Sequence, residues 1–150
     1  MNRSIAIAAA VVLLGAAGTR TARAQSTHIG SFAAYQFDVK DPAMGGQVTL
    51  PLVRELDLYP SAAYYFVDTG SLWAVNADLR YRLPSIAYVG GGLNVARRSV
   101  GVSNSTDAGL NLIGGLESRK GWIHPFAEGR VILNGGSAFQ LNGGVNMTLH

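Results

Sequence analysis

Two alternating pairs of charged residues are the first candidates for chemistry. Glu55 and Asp57 are separated by one residue, and so are Arg80 and Arg82. Carboxylates set close to guanidinium groups suit general acid–base work where a pocket admits a substrate. They equally suit a buried ionic core, because arginine pairs with carboxylates in a bidentate fashion. A hairpin turning at Asp68-Thr69-Gly70 would bring Arg80 and Arg82 to the height of Glu55 and Asp57 on the next strand. If the enclosed space is filled, as in the narrowest barrels, a structural salt-bridge network is expected.

His124 is a further candidate base, with Glu117 and Glu128 as expected neighbours. Pro125 follows it directly, and the expectation is a hydrogen-bonding histidine near one rim. His28 and His150 are terminal and are expected to be exposed. Metal binding fails for want of clustered His or Cys, since the chain has no cysteine. The run Gly90-Gly91-Gly92 lacks the Lys-Ser/Thr and the following helix of a phosphate loop. It is expected instead to relieve crowding or bend a strand. No catalytic residue, metal ion or cofactor is therefore expected.

The elements that must hold these residues are extended. The stretch VNADLRYRL, residues 75 to 83, places Val75, Ala77, Leu79, Tyr81 and Leu83 on one side and Asn76, Asp78, Arg80 and Arg82 on the other. Alternation of this kind recurs from about residue 28 onward, and no segment keeps a helical period. The expected strands are 28 to 39, 43 to 52, 55 to 67, 71 to 83, 85 to 98, 106 to 118, 122 to 134 and 137 to 149. Turn residues such as Asp41-Pro42, Pro84-Ser85, Asn104-Ser105, Lys120-Gly121 and Asn134-Gly135-Gly136 separate them. At about 9 to 11 residues per membrane-crossing strand, eight strands fit the length, with short turns.

Ahead of the strands, Arg3, an apolar stretch at 5 to 18 and Ala22-Arg23-Ala24 before Gln25 read as a secretory signal peptide over residues 1 to 24. Residues 25 to 150 then form one domain. Three of the twelve basic residues lie in the leader, so the remainder carries nine against nine acidic ones. The basic balance of the whole chain is thus a property of the leader, and a nucleic-acid partner is not expected.

Phasing each strand on its apolar residues leaves most charges on the opposite face. Asp38, Glu55, Asp57, Asp78, Arg80, Arg82, Arg98, Asp107, Glu117, Arg119, Glu128 and Arg130 share it, which is twelve of the eighteen charges after the leader. Five more fall in turns or at rims, and only Arg97 sits among the aliphatic side chains. Alternation alone does not choose between a soluble barrel and a membrane barrel, because both show it. Three features choose. The charged face is rich in Gly, Ala and Asn and poor in Lys, as in a narrow filled interior. With the amino terminus in the periplasm, Tyr35, Phe37, Tyr64, Phe66, Trp73 and Phe139 gather at one end as an aromatic girdle, and Tyr81 lies at the other. The connections near 53 and 84 are tight, whereas the longest gap, 99 to 105, falls at the extracellular end.

With these features the chain after the leader resembles the small outer-membrane β-barrel proteins of the OmpA and OmpX class. The stretches TLPLVRELDLYPSAAYYF (49 to 66), YVGGGLNVA (88 to 96) and IHPFAEGRV (123 to 131) are similar to those of uncharacterised outer-membrane β-barrel domains. The class commonly ends in an aromatic residue, and this chain ends Leu149-His150. The resemblance implies an all-β, eight-stranded antiparallel up-and-down barrel, with outer-membrane lipid and the barrel-insertion machinery as partners, and a monomer is expected. The interior would hold Glu55, Asp57, Asp78, Arg80, Arg82, Glu117, Arg119, Glu128 and Arg130. A packed lumen implies a structural, envelope-integrity or surface-interaction role in preference to an open pore. Two alternatives remain. One is a soluble periplasmic barrel with an apolar ligand among Leu, Val and Tyr. The other is a lipid-modifying enzyme, although the His-Ser pair of the deacylase barrels is absent.

Overall fold

A computed structural model describes residues 26–149; residues 1–25, where the leader is expected, and His150 lie outside the described residues. Eight strands follow one another: β1 (His28–Gln36), β2 (Asp41–Val53), β3 (Leu56–Tyr65), β4 (Ser71–Arg82), β5 (Ala87–Val100), β6 (Ser103–Glu117), β7 (Ile123–Leu133) and β8 (Ser137–Thr148). Each pairs antiparallel with the next, and β1 pairs with β8 from His28↔Thr148 to Gln36↔Gln140, so the sheet closes into a barrel in sequence order. Closure matters physically. An open sheet leaves a row of unpaired amide and carbonyl groups at each edge, and these cannot be satisfied where water is scarce.

The eight expected strands coincide with the eight observed, because period-two alternation and turn residues are both local signals. The departures lie at the ends. β1 stops at Gln36 instead of continuing to residue 39, although Phe37 still donates its amide to Phe139 O at 3.0 Å. The expected long connection at 99 to 105 does not form. β5 and β6 run on to Val100 and Ser103 and turn through Gly101 and Val102, with Gly101 at φ 59°. That left-handed backbone favours glycine, and Ser and Asn on either side simply extend the ribbon. Connections at both ends of the barrel are therefore short, and loop length does not distinguish them. What does differ is strand length. β4 accompanies β5 almost to its end, to Ser99, whereas β7 accompanies β6 only from Leu110, so on its β6 side the β5–β6 hairpin projects past β7 at the end opposite the termini.

Candidate functional site

The barrel is inverted relative to a soluble protein. Arg80 and Glu128 are each 1% exposed, while Leu110 on the neighbouring face is 55% exposed. No leucine, valine or methionine among the described residues is buried. The same alternation produces both facts, since successive residues of a strand point to opposite faces. The interior is lined mainly by Asn, Gln, Tyr and charged groups, with Phe32, Ile113, Phe126 and Ile132 buried among them; no Leu or Val is buried there, which corrects the alternative of an apolar ligand held among Leu, Val and Tyr.

At mid-height the inward side chains form a connected layer. Arg80 of β4 lies between two tyrosine rings, its guanidinium carbon 3.7 Å from the ring centre of Tyr59 (β3) and 4.1 Å from that of Tyr88 (β5). Its Nη1 donates to Glu117 Oε2 at 2.6 Å. Desolvated stacking of this kind is worth about 2 kcal/mol per ring, which helps to offset the cost of burying the charge. Glu128 of β7 accepts from Tyr88 Oη at 2.9 Å, from Asn142 Nδ2 at 2.9 Å and from Arg130 Nη2 at 3.1 Å. Arg130 Nη2 also lies 2.9 Å from Asp78 Oδ2, a contact that is electrostatic in geometry. Asp78 Oδ1 accepts from Asn111 Nδ2 at 2.9 Å, and the same amide reaches Asn76 Oδ1. Polar groups sealed from water need such partners.

Glycines make room for this layer. Gly92 stands beside Asp78 and Gly90 beside Arg80 on the paired strand. A Cβ on Gly92 would strike Ala77 O and come within 2.7 Å of Asp78 Oδ1, and one on Gly90 would strike Leu79 O. Gly115 likewise leaves space for the Tyr88 ring. Large side chains are thus seated against missing ones, as expected in a tapering interior.

Two cavities flank the layer. One, of about 490 Å³, opens at the end that carries the termini and includes His28, Thr49, Arg82 and His124 in its wall. The other, of about 250 Å³, lies at the opposite end beside Tyr65, Asn94 and Arg98. Between them Arg80, Tyr59, Tyr88, Glu128, Asn111 and Asp78 are all fully buried.

Two solved structures share this architecture. The N-terminal β-barrel domain of Pseudomonas aeruginosa OprF superposes with a TM-score of 0.63 at 18% identity, covering 83% of this chain and 97% of that one. Neisserial surface protein A, NspA, superposes with a TM-score of 0.53 at 16% identity, covering 83% and 95%. The fold is that of the small outer-membrane barrels. No family model matches the sequence, and no curated protein matches it.

Within this outer-membrane-type barrel the expected lumenal residues divide. Asp78, Arg80, Glu117, Glu128 and Arg130 meet in or beside the central layer, and Arg82 pairs with Asp57 below it. Glu55 does not join them. It occupies the two-residue β2–β3 turn, half exposed, 3.8 Å from Arg54, because the turn falls one residue later than the alternation implies. Arg119 is also outside the network, exposed at the rim, where it donates to Leu83 O at 3.1 Å and Ala87 O at 3.2 Å. His124 bonds neither expected glutamate. Its Nδ1 donates to Ser118 O at 2.8 Å, which leaves Nε2, 3.0 Å from Thr148 Oγ1, to accept from that hydroxyl. His28 is half-buried, contrary to the exposure expected of a terminal residue, and its ring lies 4.8 Å from that of His124. Barrel closure brings those two strands' ends together.

The expected interface aromatics all point outward and are exposed. Tyr35 and Phe37 meet edge to face at 5.1 Å, Phe37 and Phe139 lie 5.6 Å apart, and Tyr64 and Phe66 lie 5.5 Å apart. Trp73 sits opposite Tyr64. Tyr81 is outward at the other end, where exposed Trp122 is a second aromatic that the alternation does not single out. Asn76 and Asn111 are buried on the charged face, where the alternation places them, but Tyr59 and Tyr88 are likewise not singled out. Their one signal was the strand phase they share with the charges.

Proposed function

We propose that this chain is an outer-membrane barrel, exported by a cleaved leader, with a filled lumen and a structural, envelope-integrity or surface-interaction role in place of solute conduction. One observation carries the reading. Arg80, Asp78, Glu128 and Arg130 are sealed inside while aliphatic side chains cover the outer wall, an arrangement that is stable only with hydrocarbon around it. The outward aromatics at the end away from the termini suit a headgroup boundary, and the projecting β5–β6 hairpin offers the surface for contact with a partner. Outer-membrane lipid is the first partner of this reading, the barrel-insertion machinery acts during biogenesis, and a monomer suffices, since the closed sheet leaves no edge to pair. The reading includes no catalytic step.

The test is refolding into lipid vesicles followed by gel migration with and without boiling and by planar-bilayer recording. The expected result is heat-modifiable migration and no sustained step conductance. Recovery of the native protein in osmotic-shock fluid without detergent would count against the membrane assignment, and a steady ohmic conductance would count against the filled lumen.

A further inference from the structure

Two imidazoles meet beside the junction that joins the first strand to the last. His28 opens β1 and His124 is the second residue of β7, and their rings lie 4.8 Å apart, inclined by 30°, in the wall of the cavity at the termini end. Both are linked to the end of β8. His28 stands opposite Thr148 across the β1–β8 pairing, and the Thr148 hydroxyl is bound to His124 Nε2 at 3.0 Å. Two backbone bonds complete that corner: Thr148 N donates to Trp122 O at 3.1 Å, and Leu149 N donates to Thr27 O at 2.9 Å.

The charges around the rings are already balanced. β3 contributes Asp57, β4 Arg82, β6 Glu117 and the β6–β7 turn Arg119, whereas β2 and β8 present only the hydroxyl residues Thr49 and Thr148. Asp57 is paired with Arg82, and Glu117 with Arg80. An imidazolium formed here therefore finds no unspent carboxylate among the described residues. One proton can be shared across the stack, but a second sets two cations 4.8 Å apart, and groups coupled in this way take up their protons in two separated steps.

We propose that the His28–His124 stack is a pH-sensitive latch on the β1–β8 junction, closed while at least one ring is neutral and released when both are protonated. Release parts the rings, and because both are linked to Thr148 it opens the corner that holds Thr148 and Leu149. The far end of the same junction, where Phe37 N donates to Phe139 O at 3.0 Å, stays paired. The sign follows from linkage: the opened corner holds more protons than the closed one, so acid favours it. The latch depends on the closed barrel alone and stands apart from the membrane reading.

The experiment uses the barrel refolded in detergent micelles at about pH 8 and about pH 5, on either side of the ordinary histidine range. Amide exchange is expressed as protection, which removes the intrinsic effect of pH, and the imidazole carbon–proton resonances are titrated in parallel. The protection of the Thr148 and Leu149 amides should fall about tenfold in acid, while that of Phe37 holds. His28→Gln removes one of the two charges. It should abolish the fall and leave His124 to titrate in a single step at higher pH than in the unaltered chain, with heat-modifiable migration at about pH 8 showing that the barrel has formed. His124→Gln should free His28 in the same way. Thr148 protection that is equal at both pH values would overturn the proposal, as would single-step titration of each ring unaltered by loss of the other. So would a folded His28→Gln barrel whose corner still opens in acid.

Discussion

The central layer of the lumen and the tip of the β5–β6 hairpin are made of the same antiparallel ribbon, yet they follow opposite rules. In the layer each strand position has an assigned face: Asp78 and Arg80 are sealed inward, and Leu79 between them points out. At the hairpin tip both faces are exposed from Gly101 to Ala108, and Val102 is fully exposed. Ser103, Asn104, Ser105 and Thr106 show no apolar alternation because neither face there has anything to bury. Inversion is thus not a property of the strands. It is imposed where the wall must satisfy an apolar exterior and a polar interior together, and it lapses where the ribbon leaves that zone.

Substitutions at three heights sharpen this contrast. The largest effect is expected at the layer. Arg80→Ala strands Glu117 without its cation and empties the space between two tyrosines, and should lower the unfolding free energy by about 3 to 5 kcal/mol, measured by urea titration in vesicles; an unchanged midpoint would mean that the layer is wet. Next comes the outer wall. Leu93 stands opposite Ala77, midway between the outward Trp73 and Tyr81, and Leu93→Arg should cost about 2 to 4 kcal/mol in vesicles. A tolerant Leu93 would remove the hydrocarbon from the account. The smallest effect belongs to the hairpin, where Val102→Ser should stay within about 0.5 kcal/mol by the same titration. A large loss there would show that the tip is packed against something.

Much of this was legible beforehand, for a physical reason. Period-two alternation is a local property, so Asp78, Arg80, Glu128 and Arg130 could be placed inside from their strand phase alone. Glu55 could not, since a shift of one residue in the β2–β3 turn transfers it from the lumen to the rim. The hairpin tip was hidden because polar strands without a buried face look like loop. Tyr59 and Tyr88 were hidden for the converse reason. A tyrosine is at home at a lipid boundary or against a guanidinium, and only the third dimension, which sets both rings around Arg80, tells the two apart. His28 belongs with them: its neighbour is the far end of the chain.

The pairing of β1 with β8 is unlike every other contact between strands. Seven of the eight seams join segments adjacent in sequence and can zip from their own turns. The eighth, where Thr27 O receives the amide of Leu149 at 2.9 Å, requires the two ends of the whole sheet to find each other, and the chain-entropy cost of that encounter falls on a single event. Until it occurs, a curled but unfinished sheet exposes two sticky margins and a half-built ionic centre. Fastening the ring is therefore the step at which assembly is slowest and most vulnerable, and the step that an assisting factor would do most to hasten.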